Sequence, residues 1–154
     1  SFVVAHFHYV MFGGTGFAFF GALHYWFPKM FGKMYNLKIA KIAWCILFVG
    51  FNTLYFPLFV IGWQGMPRRY YDYLPQFHTG HLISTIGSWI LITGILVMFY
   101  NLGKALFKGE KAGRNPWAGA TLEWQIATPP PLENFEEIPT VKKDPYDFRG
   151  VAVS

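Results

Sequence analysis

Charge is confined to the gaps between three apolar blocks. Ser1–Phe27, Ile42–Met66 and Leu74–Gly103 contain no Lys, Arg, Asp or Glu. Each block is long enough to cross ~30 Å of hydrocarbon as a helix, which takes about 20 apolar residues. A helix is also one of the few backbones that satisfies its own polar groups in lipid. The pattern therefore predicts an all-α membrane protein: three transmembrane helices, at about 1–27, 40–66 and 74–106, belonging to a larger helical bundle. Pro28 is expected to close the first helix and Pro57 to kink the second, while Pro67 and Pro75 bracket the connection to the third. Residues 1–108 make up the membrane region, and the proline-rich, mixed-charge stretch 109–154 reads as an extrinsic, irregular tail.

Composition narrows the class. The 154 residues are 53% hydrophobic, 21% aromatic and only 14% charged, too few charges for an ordinary soluble domain. The net charge of +5 does not point to nucleic acid, because the basic residues gather at the ends of apolar blocks and do not line a groove. The surrounding partner is membrane lipid. Cys45 lies within an apolar run, so it offers neither a disulfide framework nor a thiol pair for a metal, and it is expected to be a small buried hydrophobe. The chain starts at Ser1 inside an apolar stretch whose first charge is Lys29, which reads as a truncated start and not as a signal peptide. Gly80, Ser84 and Ser88, and the group Gly13, Gly14 and Gly16, are expected to allow close helix packing.

Orientation follows from the basic clusters. Lys29, Lys33, Lys38 and Lys41 fill the first connection, and Lys104, Lys108, Lys111 and Arg114 follow the third span. Three antiparallel spans put both clusters on one side, the cytoplasmic or matrix side by the positive-inside rule, together with the tail. The second connection then carries Arg68 and Arg69 on the outer side, an exception that calls for an anionic partner.

The sharpest chemical feature is Val4-Ala5-His6-Phe7-His8-Tyr9-Val10. At 100° per residue the two histidines point ~200° apart, so they cannot share one ion on one helix face. Paired helical ligands for a single zinc would be i and i+4. Interhelical hydrogen bonds are the plain alternative, but strongly polar groups inside a span are costly and mark function. Neutral imidazole is a good iron ligand, so a haem on each face is the natural candidate, with irons on the order of 12–18 Å apart. Arg68 and Arg69 suit the two propionates of haem, since guanidinium pairs bidentately with carboxylate. Lipid headgroups or water are their plain alternative. Tyr70, Tyr71 and Tyr73 read as an interfacial aromatic belt, and Asp72 as a residue that can order the arginines.

The segments VVAHFHYV and GMPRRYYDY, followed by LEW, PPP and NFEE, resemble in order and spacing subunit I of haem-copper oxidases of the cytochrome c oxidase type, from its tenth transmembrane helix to its end. The resemblance covers nearly the whole chain. It implies that His6 is the proximal ligand of the high-spin haem facing copper and dioxygen, and that His8 is one axial ligand of the low-spin haem. It further implies that Phe7 lies between the haems and that Arg68 and Arg69 bind propionates. Two haems, of a and a3 type, are expected, with copper and magnesium held by residues outside this chain. The implied partners are the remainder of subunit I, other subunits including the copper-bearing subunit II, and cytochrome c as electron donor. The implied activity is reduction of dioxygen to water coupled to proton translocation, in a bacterial plasma membrane or mitochondrial inner membrane. Pro67 and the YYDY run look closer to the cytochrome c branch than to the quinol-oxidising branch. His24, His78 and His81 match no ligand position, and His81 is expected to form a hydrogen bond. A non-redox transporter or scaffold with structural histidines remains the reading from another class.

Overall fold

The computed structural model describes residues 1–135, 137–141 and 144–151. Glu136 of the NFEE motif and residues 142–143 and 152–154 of the expected tail lie outside the described residues. Three helical runs are long and apolar enough to cross a membrane: Phe2–Phe31, Leu37–Trp63 and Pro75–Lys108. The first comprises α1 (Phe2–His8), a π-helical stretch (Tyr9–Gly16) and α2 (Phe17–Phe31). The second is α3 (Leu37–Trp63), and the third opens with a 3-10 turn at Pro75–Phe77 and continues as α4 (His78–Lys108). Strands β1 (Lys33–Met34) and β2 (Glu110–Lys111) pair antiparallel, with Lys33 opposite Lys111 and Met34 opposite Glu110. A second 3-10 turn spans Leu122–Trp124.

Two expectations about the first span are corrected. Pro28 does not close it: the proline sits inside α2, which runs on to Phe31. The helix stops where Gly32 adopts φ +63°, a left-handed conformation that favours glycine, with its N–H donating to the Pro28 carbonyl at 2.9 Å. Nor is the span uniformly α-helical, since eight residues are π. Gly13, Gly14 and Gly16 fall in that stretch, where the lack of a Cβ lowers the cost of a non-α backbone.

The chain divides into two compact units, Ser1–Gly21 with Leu37–Leu102, and Ala22–Asn36 with Gly103–Ser154. In the first unit, glycines bring backbones together. Gly80, Gly87 and Gly94 recur every seven residues on α4 and meet Ile61, Leu54 and Leu47, which recur every seven on α3 in the opposite direction. A methyl at Gly94 would stand 2.8 Å from the Leu47 nitrogen, and one at Gly87 would stand 2.6 Å from the Leu54 Cα. Gly87 also approaches Thr53, whose carbonyl has lost its usual helical donor because residue 57 is proline. From α3 the reverse contact is Gly50 against Leu91. Of the small residues singled out in the sequence, Gly80 and Gly13 make room for the side chains of Ile61 and Phe51, and Ser84 is buried. Gly14 faces open space, and Ser88 instead donates to the Thr85 carbonyl of its own helix at 2.6 Å.

On its other side α3 carries an aromatic core centred on Phe51, 3% exposed. Tyr9, Phe12, Phe17 and Tyr55 surround it at centroid distances of 4.8, 5.7, 5.4 and 5.1 Å. The Tyr9 hydroxyl donates to Asn52 Oδ1 at 2.8 Å, a polar tie between the first span and α3. Cys45, by contrast, is exposed on α3 and not a buried hydrophobe, because its position on the helix lies off both packed faces.

In the second unit Lys29 is not a surface charge. It is 4% exposed, and its ammonium donates to the Arg114 carbonyl at 2.8 Å, the Ile126 carbonyl at 3.0 Å and Thr128 Oγ1 at 2.8 Å. It also lies 5.3 Å from the ring centre of Trp124. All three of its N–H groups are thus spent, which is what makes a buried ammonium tolerable. Trp124, 1% exposed, donates its indole N–H to the Tyr25 hydroxyl at 2.8 Å, and Trp117 donates to the Tyr25 carbonyl at 2.8 Å. Tyr35 is packed among His24, Phe27 and Trp117, and burial pushes its hydroxyl up to about 12, so it stays neutral. The first part of the tail is therefore anchored even though little of it is regular.

Two outcomes are expected in the full-length protein. Gly87→Leu forces a side chain into the Thr53–Leu54 backbone, and overpacking of this kind typically costs about 1–3 kcal/mol. The thermal transition in detergent should fall by several degrees, and an unchanged transition would show that the glycine row does not hold α4 to α3. Lys29→Met removes the donor from three acceptors, of which the Arg114 carbonyl keeps only the 3.4 Å bond from Thr128 Oγ1, at roughly 1–3 kcal/mol for each buried group left unpaired. Chymotryptic cleavage at Trp124 should rise about tenfold or more, and an unchanged rate would show that Lys29 does not hold the segment.

Candidate functional site

His6 and His8 both lie on α1, so the helix directs them ~200° apart. Their surroundings differ. His6 and Phe7 are exposed, whereas His8 is half-buried and turned to α3. The His8 ring stacks on Tyr55 at 4.4 Å between centroids with 15° between planes, and Phe7 stands edge-on to it at 6.4 Å and 83°.

His8 Nδ1 is 2.8 Å from the Val4 carbonyl oxygen, one helical turn earlier. A carbonyl can only accept, so Nδ1 carries the proton and Nε2 keeps its lone pair. That is the tautomer a metal-ligating imidazole needs, with the second ring nitrogen anchored to backbone. The α1–α3 approach that brings His8 onto Tyr55 is close: Gly62 faces the Phe2 backbone, and the Phe2 and Phe59 rings meet at 4.9 Å.

The connection after α3 is tied to the start of α1. The Ser1 nitrogen donates to the Met66 carbonyl at 2.7 Å and Ser1 Oγ to the Pro67 carbonyl at 3.1 Å. Met66 is buried in a cluster with Ile61 and Phe77, flanked by Leu58 and Tyr73. Arg68 and Arg69 follow directly and are exposed, and neither pairs with a carboxylate among the described residues. His8 stands seven residues beyond Ser1, about 10 Å along the helix at 1.5 Å per residue. The structure thus brings the arginine loop and the histidine pair to one end of the first unit.

Other expectations change. Asp72 accepts from the Tyr73 N–H at 2.8 Å and so caps its own loop, leaving the arginines alone. Tyr73 and Tyr70 pack on His81 at 4.3 and 5.6 Å, with Tyr70 partly and Tyr71 fully exposed. His81 makes ring contacts and not the expected hydrogen bond, its Nε2 having no partner among the described residues. The Tyr73 hydroxyl lies 3.4 Å from His78 Nδ1. His24 stands edge-on to Tyr35 at 5.0 Å. Among the described residues no group of three or more His, Cys, Asp or Glu side chains could hold a metal ion.

Sequence reasoning missed Tyr55. Nothing marks one aromatic among several in α3 as a neighbour of His8, although the Val4 carbonyl follows from the i, i−4 spacing.

Residues 1–90 match the protein family described as cytochrome c and quinol oxidase polypeptide I. Cytochrome c oxidase subunit 1 of Synechocystis sp. is 46% identical over 147 residues, 96% of this chain and 27% of that protein. Its counterpart in Bacillus subtilis is 43% identical over 144 residues, 92% of this chain and 23% of that protein. The putative cytochrome c oxidase subunit 1-beta of Streptomyces coelicolor is 43% identical over 151 residues, 96% of this chain and 26% of that protein. The chain spans about a quarter of the length of these curated relatives. With more than half of its residues matched to the family and three apolar spans of membrane length, the chain belongs to the haem-copper oxidase subunit I family.

Proposed function

We propose that this chain is the part of a terminal oxidase catalytic subunit that holds one protein ligand to each of two haems, and that it makes up the last three transmembrane helices and the tail of that subunit. On this reading residues 1–108 lie in the membrane and 109–154 form a tail on the cytoplasmic or matrix side. The complete enzyme reduces dioxygen to water with electrons from cytochrome c and translocates protons. The observation that carries the reading is the imidazole pair of α1: opposite directions at i, i+2, with His8 Nδ1 committed to the Val4 carbonyl so that Nε2 is left to bind. Cytochrome c is favoured over quinol as donor because the relatives named above are cytochrome c oxidases and because Pro67 precedes the arginine pair.

Haem iron, when bound, supplies the redox and dioxygen-binding chemistry. His8 Nε2 would hold the low-spin haem, its basicity raised by the Nδ1–H bond to Val4. His6, on the other face of the helix, would hold the high-spin haem, with Phe7 between the two histidines in the chain. Arg68 and Arg69, free of carboxylate partners among the described residues, neutralise propionates. Copper and magnesium are held by residues of the complete subunit outside this chain, and subunit II and the remaining subunit I helices cover the apolar side chains that stay exposed here, such as Trp89.

Optical spectra of the full-length oxidase test the ligand assignment. His8→Ala should abolish the low-spin haem band, and His6→Ala should abolish carbon monoxide binding while largely sparing that band. A low-spin band that survives His8→Ala would overturn the reading. For the arginines, Arg69→Ala should lower the midpoint potential of the nearer haem by tens of millivolts, since loss of a cation beside a propionate favours the oxidised iron. Arg69→Lys keeps the charge without the bidentate fork and should shift it less. Unchanged potentials in both variants would confine the arginines to the membrane surface.

A further inference from the structure

The His8 imidazole has one motion that its backbone bond leaves open. The Nδ1–Val4 contact at 2.8 Å fixes the tautomer and one edge of the ring, but the ring can still rock about the line through that bond. Tyr55 stops this, because its ring lies against the imidazole at 4.4 Å and within 15° of parallel. Tyr55 is itself held from behind: Phe51 packs on it at 5.1 Å and 57°, and Phe51 is 3% exposed under Tyr9, Phe12 and Phe17. The imidazole plane is therefore defined by its stack on Tyr55, which is backed by the tilted, buried ring of Phe51 on α3.

We propose that Tyr55 is a positioning residue that sets the plane of the His8 imidazole, and with it the rotational angle at which the ring meets an iron bound at Nε2. This rests on the reading of His8 as a haem ligand. Tyr55 touches neither substrate nor iron in this role, and it acts through the ring it covers. What it supplies is a flat π-face at a fixed height, so its hydroxyl is dispensable. The angle of an axial imidazole governs how the iron d orbitals split, so the effect belongs in the magnetic spectrum of the low-spin iron before it belongs in turnover.

The test uses the full-length, haem-loaded oxidase and electron paramagnetic resonance of the oxidised low-spin haem. Tyr55→Leu should retain the haem but move its largest g value outside the parent linewidth and broaden the signal, whereas Tyr55→Phe should reproduce the parent spectrum. Phe12→Leu serves as the control, since Phe12 belongs to the same aromatic core but does not touch Tyr55 or His8. A spectrum of Tyr55→Leu superimposable on the parent overturns the proposal, as does an equal shift in Phe12→Leu, which would mean that general loosening of the core is enough. Should Tyr55→Leu not assemble, the unbranched Tyr55→Met variant makes the same comparison. His8→Ala separates this proposal from the reading beneath it. If the low-spin signal persists without His8, the ligand assignment fails; if it vanishes while Tyr55→Leu is unchanged, only the positioning role fails.

Discussion

Helix α3 is the member on which the rest of the first unit is assembled, and what lets it serve is the absence of side chains at a few positions. In lipid there is no hydrophobic drive between helices, so association depends on how closely backbones approach. Gly80, Gly87 and Gly94 place α4 against one side of α3, and Gly62 admits the start of α1 to another. Because Gly87, Gly94 and Gly62 meet backbone atoms and not flexible side-chain tips, these contacts fix register as well as distance, while Gly80 receives the Ile61 side chain. The loop carrying Arg68 and Arg69 leaves α3 at the end where α1 begins, and hydrogen bonds from Ser1 fasten it there.

This arrangement explains how two histidines of one helix acquire different surroundings. His8 faces the aromatic side of α3 and takes up Tyr55, while His6 faces away and is left open to whatever packs on that face. The distinction originates in the two-residue spacing and is completed by packing. Neither histidine belongs to a group of three or more His, Cys, Asp or Glu side chains that could hold a metal ion among the described residues.

The spans were legible because a long apolar block without a single charge suits lipid and little else, and the histidine pair was legible because helical periodicity turns spacing into direction. What was not legible came from contacts between segments far apart in sequence. Pro28 reads as a helix terminator in isolation, yet α2 passes through it and ends three residues later at Phe31, where Gly32 turns the chain. The acceptors that bury Lys29 lie 85, 97 and 99 residues away, so local sequence offers only a basic residue at the end of an apolar run. The packing of Tyr70 and Tyr73 on His81 likewise has no local cue in the sequence. The π-helical stretch has a local cue in its glycines, although glycine equally signals close packing.

The Lys29 socket has a consequence for the order of events during synthesis. The lysine emerges long before the carbonyls that will receive it, and at roughly 5–20 residues per second the wait for Thr128 is on the order of 5–20 s. Throughout that interval its ammonium lacks the full set of three acceptors that later surrounds it. Once the tail arrives, the same charge is withdrawn from water and becomes a structural pin, so the fastening of this unit is a late event set by the far end of the chain.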